Sequence, residues 1–140
     1  MATLKISELS VGDWVKIKEC AYFPFDKPND FLSPYAKVTA LEGENCLIWL
    51  NTQDGEFCAS LKNIEPIPIT AEILEKNGFE KISKTQPWFR YKTDITVARY
   101  ADDLWGFGIG VACNELWGLS GVHDLQHAMR LAGVDKEINL

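Results

Sequence analysis

Hydrophobic and polar positions alternate in short runs through the first half of the chain. Val15 and Ile17 are separated by Lys16 and followed by Lys18, the period-two pattern of a half-buried strand, and Gly12-Asp13 before them is a turn signal. Leu9 and Val11 are expected to begin the core. Strand-like segments resume at AKVTAL (36–41) and CLIWL (46–50), with EGEN as the turn between them. EFCASL (56–61) follows the turn QDG, and IEPIPI (64–69) closes the run. Short strands joined by tight turns predict a small SH3-like β-barrel or a curled antiparallel sheet.

The second half changes period. Pro66 and Pro68 mark an extended exit, and Thr70 is placed to cap a helix TAEILEKNGF. Glu72 suits the positive end of that helix, Ile73 and Leu74 face inward, and Asn77-Gly78 stops it. WFRYKTDITVARY (88–100) alternates like a strand or hairpin, and LWGFGIGVAC (104–113) holds another strand. A helix over 121–132, with Ser120 as its cap and Gly133 as its stop, ends the pattern. The prediction is an α+β protein, with a β-barrel-like unit over 1–68 and a helix–strands–helix unit over 69–140 packed against it.

Composition fits a globular chain: of 140 residues, 46% are hydrophobic and 24% charged, with a net charge of −6. The basic residues are not clustered, so a phosphate-binding surface is disfavoured. A nucleic-acid binder built on the first unit would need Lys16, Lys18 and Lys37 to converge. No apolar run has the length of a signal peptide or a membrane span, which predicts a cytoplasmic protein with no membrane partner. The four cysteines, Cys20, Cys46, Cys58 and Cys113, form no C-x-x-C pair. They are expected as buried free thiols rather than zinc ligands.

HDLQH (123–127) is the nearest approach to a catalytic motif, since H-E-x-x-H is a helical zinc signature. His123 and His127 share a helix face, but Arg130 follows on the same face and opposes a dication. A catalytic zinc needs a third protein ligand, the chain has no other histidine, and Asp124 is shorter than the usual glutamate base. A small zinc-dependent hydrolase is thus the weakest alternative, and the favoured reading is an amphipathic helix with histidines at the margin of the Val122–Leu125–Met129 stripe. GFGIG (106–110) has the wrong spacing for a dinucleotide loop and continues as strand, so its glycines mark a bulge or a close approach of chain. Cys113 lies in an apolar run, and Asp102-Asp103 reads as a solvated turn. No catalytic residue, cofactor or metal is assigned.

Aromatic residues are the feature above background. Tyr22, Phe23, Phe25, Phe31 and Tyr35 lie in a long proline-containing loop (21–35), where SH3-like barrels build a peptide-binding rim. Trp88, Phe89, Tyr91, Tyr100, Trp105, Phe107 and Trp117 crowd the second half. The loop aromatics and the helix face carrying His123 are the expected contact surfaces for a protein partner, and a homo-oligomer stays open.

Three phrases, ELSVGDWV, NIEPIPITAEILEKNGF and VHDLQHAMRLAGVDKEI, occur in this order. Together they resemble a family of small uncharacterised proteins of gut Bacteroidetes and their phages and mobile elements, with patterns near IPLTPEILEKxGF and LHxLQNLYFALTGEEL. His123 matches that family's histidine, while His127 stands where the pattern has asparagine and AMRLAG replaces YFALTG. The resemblance implies a phage- or mobile-element-encoded protein without a two-histidine metal site, and it supplies no catalytic residues.

Overall fold

The computed structural model describes residues 4–18, 35–43, 47–52, 55–92, 95–101, 104–109 and 117–140. The protein is α+β: the described residues form two five-stranded antiparallel sheets and two α-helices. It divides into two compact units, Met1–Ile67 and Pro68–Leu140.

In the first unit, strands β1 (Trp14–Ile17), β2 (Tyr35–Glu42), β3 (Leu47–Thr52), β4 (Gly55–Ser60) and β5 (Ile64–Glu65) form a sheet of order β4-β3-β2-β1-β5. A 3-10 turn at Leu61–Asn63 links β4 to β5. The alternation read from the sequence sorts the two faces: Val15, Ile17, Ala36, Val38, Ile48, Leu50 and Ile64 are all buried. Trp14, Lys16, Lys37 and Trp49 turn to the other side. The register shifts between Val38 and Ala40, a bulge that gives Thr39 no partner on β3.

The turn before β1 fixes this end of the sheet. Gly12, at φ +95°, donates to the Val38 carbonyl at 2.7 Å, and Val38 donates back to Asp13 at 2.9 Å. The buried Asp13 carboxylate accepts the Ser10 N–H at 2.8 Å. Leu9 enters the core as expected, but Val11 does not. It stands at the turn's corner with 61% of its surface exposed, because the chain reverses there before Gly12.

In the second unit, α1 (Ala71–Lys76) precedes β6 (Glu80–Lys81), β7 (Trp88–Tyr91), β8 (Ile95–Ala101), β9 (Leu104–Ile109) and β10 (Trp117–Leu119), and α2 (Val122–Leu131) follows. The sheet order is β10-β9-β8-β7-β6, each strand beside its sequence neighbour. Phe89, Val97 and Phe107 stand in register across three strands and are buried, with Phe89 and Trp105 rings 6.0 Å apart. β6 and β10, of two and three residues, are too short to show as alternation in the sequence.

Both helix stops work as their glycines suggest. Gly78 (φ +88°) and Gly133 (φ +81°) occupy the left-handed position. The Phe79 N–H reaches the Leu74 carbonyl at 3.0 Å, and the Val134 N–H reaches the Met129 carbonyl at 2.9 Å, the two long bonds of Schellman motifs. Thr70 caps α1, accepting from the Ile73 N–H at 3.2 Å. Ser120 does not cap α2. The first residue before that helix is Gly121, and Ser120 instead donates through its N–H (2.9 Å) and its Oγ (2.5 Å) to Asp124 Oδ2.

Asn77 follows α1 and is 1% exposed. Its Nδ2 donates to the carbonyls of Ile73 and Asn139, each at 2.7 Å, and its Oδ1 accepts the Asn139 N–H at 2.7 Å. Removing this carboxamide loses three hydrogen bonds made by a buried side chain, whereas removing a cap loses one exposed bond. In urea denaturation, Asn77→Ala is expected to cost roughly 2–4 kcal/mol and Thr70→Ala about 1 kcal/mol. Equal costs would mean that the carboxamide is not a structural centre.

Candidate functional site

α2 carries the two histidines. Its buried set is Val122, His123, Leu125, Ala128 and Met129, which wraps more than half of the helix circumference. His123 is thereby 0% exposed, inside the core rather than at the margin where the sequence placed it. The expected contact face therefore shows solvent His127, which keeps partial exposure, and not the His123 side chain itself. The two rings meet edge to face at 6.1 Å, and His123 Nε2 lies 3.5 Å from Asp124 Oδ1. Asp124 is oriented by Ser120 through its other oxygen. Among the described residues, no three His, Cys, Asp or Glu side chains gather to hold a metal ion.

GFGIG is sheet. Gly106 pairs with Ala98 on one side and Gly118 on the other, and Gly108 pairs with Thr96. The bare row Ala98–Gly106–Gly118 makes room for an aromatic ring: Tyr100 Oη lies 3.8 Å from the point a Cβ on Gly118 would occupy. Tyr100 is the unpaired residue where the register shifts between Arg99 and Ala101. There its hydroxyl reaches Gly118 while 57% of the residue stays exposed. Trp88, opposite Ala98 on the same face, is 44% exposed. The second-half aromatics therefore divide, with Phe89, Trp105 and Phe107 in the core and Trp88 and Tyr100 outside. Alternation of aromatic residues on both faces of a strand hid that division from the sequence.

Of the proposed loop surface, Tyr22, Phe23, Phe25 and Phe31 lie outside the described residues, as do Asp102-Asp103, Cys20, Cys46 and Cys113. Tyr35 opens β2 opposite Lys16 and is half-buried. Around it the outer face of the first sheet mixes aromatic and charged groups. Lys37 Nζ sits 5.0 Å above the Trp14 ring, and Lys16 lies 3.6 Å from Glu65. Trp49, opposite Cys58, is 41% exposed. Lys16 and Lys37 share this face, but Lys18 Nζ is turned to the Lys62 carbonyl at 2.9 Å, so the three lysines do not form one free cluster. Cys58 is free but exposed, contrary to the expected buried thiol, because it takes an outward position on β4.

Compared with protein-family models, curated proteins and solved structures, the chain matches none. No helix among the described residues is long and apolar enough to cross a membrane.

Two outcomes check this arrangement. His123→Ala empties a buried site and is expected to cost about 2–4 kcal/mol, against about 0.5 kcal/mol or less for the same change at the partly exposed His127, both read by urea denaturation. In the folded protein, Cys58→Ser is expected to remove one equivalent of rapidly reacting thiol in a colorimetric titration. An unchanged fast phase would place Cys58 beneath the surface.

Proposed function

We propose that this protein is a non-catalytic protein-interaction module, cytoplasmic and encoded by a phage or mobile element. The observation that carries this reading is the trio of large aromatic side chains left exposed on sheet faces: Trp49 at 41%, Trp88 at 44% and Tyr100 at 57%. Tryptophan and tyrosine lose little conformational freedom for the area they bury, and they anchor protein interfaces out of proportion to their numbers. The resemblance of ELSVGDWV, NIEPIPITAEILEKNGF and VHDLQHAMRLAGVDKEI to phage- and element-borne proteins supports the biological setting.

The first unit supports an SH3-like reading through its order of elements. A meander of four strands, a one-turn 3-10 helix and a last strand returning to pair with the first follow the sequence of such a barrel. The long segment between β1 and β2, with Phe23 and Phe25, then falls where these barrels build a peptide-binding rim. A nucleic-acid role has less to support it. Lys16 is paired with Glu65, and Glu56 stands on the same outer face.

The test is affinity purification of the tagged chain from its host, with and without nuclease, read by mass spectrometry. A protein that survives nuclease, and is lost from Phe23→Ser/Phe25→Ser or Trp88→Ser variants that remain folded, is the expected result. Partners that vanish with nuclease would instead favour the nucleic-acid role.

A further inference from the structure

The segment that follows α2, residues 134–140, has no regular secondary structure, yet it is firmly held. Its exposure alternates: Val134, Lys136, Ile138 and Leu140 turn partly or wholly inward, while Asp135, Glu137 and Asn139 are exposed. That is the period of an extended peptide lying along a surface. Ile138 is 1% exposed. Lys136 Nζ donates to the Asn77 carbonyl and stands 5.2 Å over the Tyr91 ring. Lys76 Nζ donates to the Leu140 carbonyl at 2.6 Å.

What grips this segment is a buried carboxamide that reads backbone. Asn77 Oδ1 takes the N–H of Asn139 and Asn77 Nδ2 gives to its C=O, so a side chain imitates one rung of a β-ladder. The side chain of Asn139 is not part of that rung. Gly78 completes the acceptor: a Cβ there would come within 3.1 Å of Lys136 Nζ, in a backbone conformation that already favours glycine. Specificity then rests on a lysine over Tyr91 and, two residues on, an isoleucine in the core, followed by a residue with a free N–H.

We infer that this acceptor is a peptide-binding site that exchanges its occupant: it is filled in cis by segment 134–140 and accepts the same segment from a second copy of the chain. Every recognised group lies after the hinge at Gly133, and each contact made in cis is available unchanged in trans, the condition for a swapped dimer. In cis the segment competes at an effective concentration of about millimolar, which keeps the closed form dominant. Shortening the connection removes that advantage, since each residue spans at most about 3.6 Å.

The decisive variant is the full chain with Val134 and Asp135 deleted, which leaves a single residue step, about 3.6 Å at most, between Gly133 and Lys136. Its mass by light scattering is expected to be that of a dimer, and adding Asn139→Pro, which removes the N–H that Asn77 reads, is expected to return it to a monomer. A folded monomer, or a dimer indifferent to Asn139→Pro, would overturn the inference. A second measurement decides the matter if that deletion does not fold. A fluorescent peptide VDKEINL is titrated against the unaltered chain and against the full chain carrying Ile138→Ala and Asn139→Pro. Binding at least about tenfold tighter to the altered chain is expected, because its own segment no longer competes. Equal binding, or none to either, would refute an exchangeable site.

Discussion

The second unit closes on a single buried carboxamide. Asn77 sits just past α1, where a helix needs partners for its last carbonyl groups, and at 1% exposure it has almost no surface through which water could satisfy its own amide. Both needs are met together: Nδ2 returns to the Ile73 carbonyl within the helix, and the remaining donor and acceptor take the backbone of Asn139, 62 residues away. The left-handed turn at Gly78 brings the Phe79 ring back to lie 5.2 Å from that of Tyr91, and Lys136 Nζ stands 5.2 Å over the Tyr91 ring. Helix stop, aromatic pair and final segment are thus consequences of one local geometry.

How much of this was legible depended on whether the information was local. Thr70, Gly78 and Gly133 act within a few residues of themselves, and their roles could be read directly from the sequence. The longer strands were legible too, because Val15, Ile17, Ile48 and Leu50 alternate with polar neighbours. Asn77 announced only the end of a helix; nothing near it indicates Asn139. His123 was misplaced for a related reason. The i, i+4 spacing fixes the face it shares with His127, but how far the core extends around a helix depends on what covers it, and here the buried arc takes in one histidine fully and the other partly. Tyr100 escaped because a bulge, which alternation cannot register, sets its direction.

Polar and apolar groups are used differently among the described residues. Polar groups with defined geometry are engaged in structure: Asp124 with Ser120, Lys16 with Glu65, Asn77 with Asn139. Large apolar surface, by contrast, is left to solvent on both sheets, at Trp49 in one unit and at Trp88 and Tyr100 in the other. Such flat rings combine a broad apolar contact area with little side-chain freedom to lose on association.

The strand orders also carry a kinetic meaning. In the second sheet every pairing joins strands adjacent in the chain, so the sheet can grow hairpin by hairpin, each closure spanning a short loop. The first sheet cannot finish that way. Its meander becomes continuous with β5 only when Ile64 and Glu65 find Ile17 and Lys16, and that contact has two rungs. A long loop must close for a small gain in pairing, which requires the hydrophobic core beneath to be largely assembled first. The first unit therefore folds on the slower timescale that non-local contacts impose, and its last-formed seam is the one between its first and final strands.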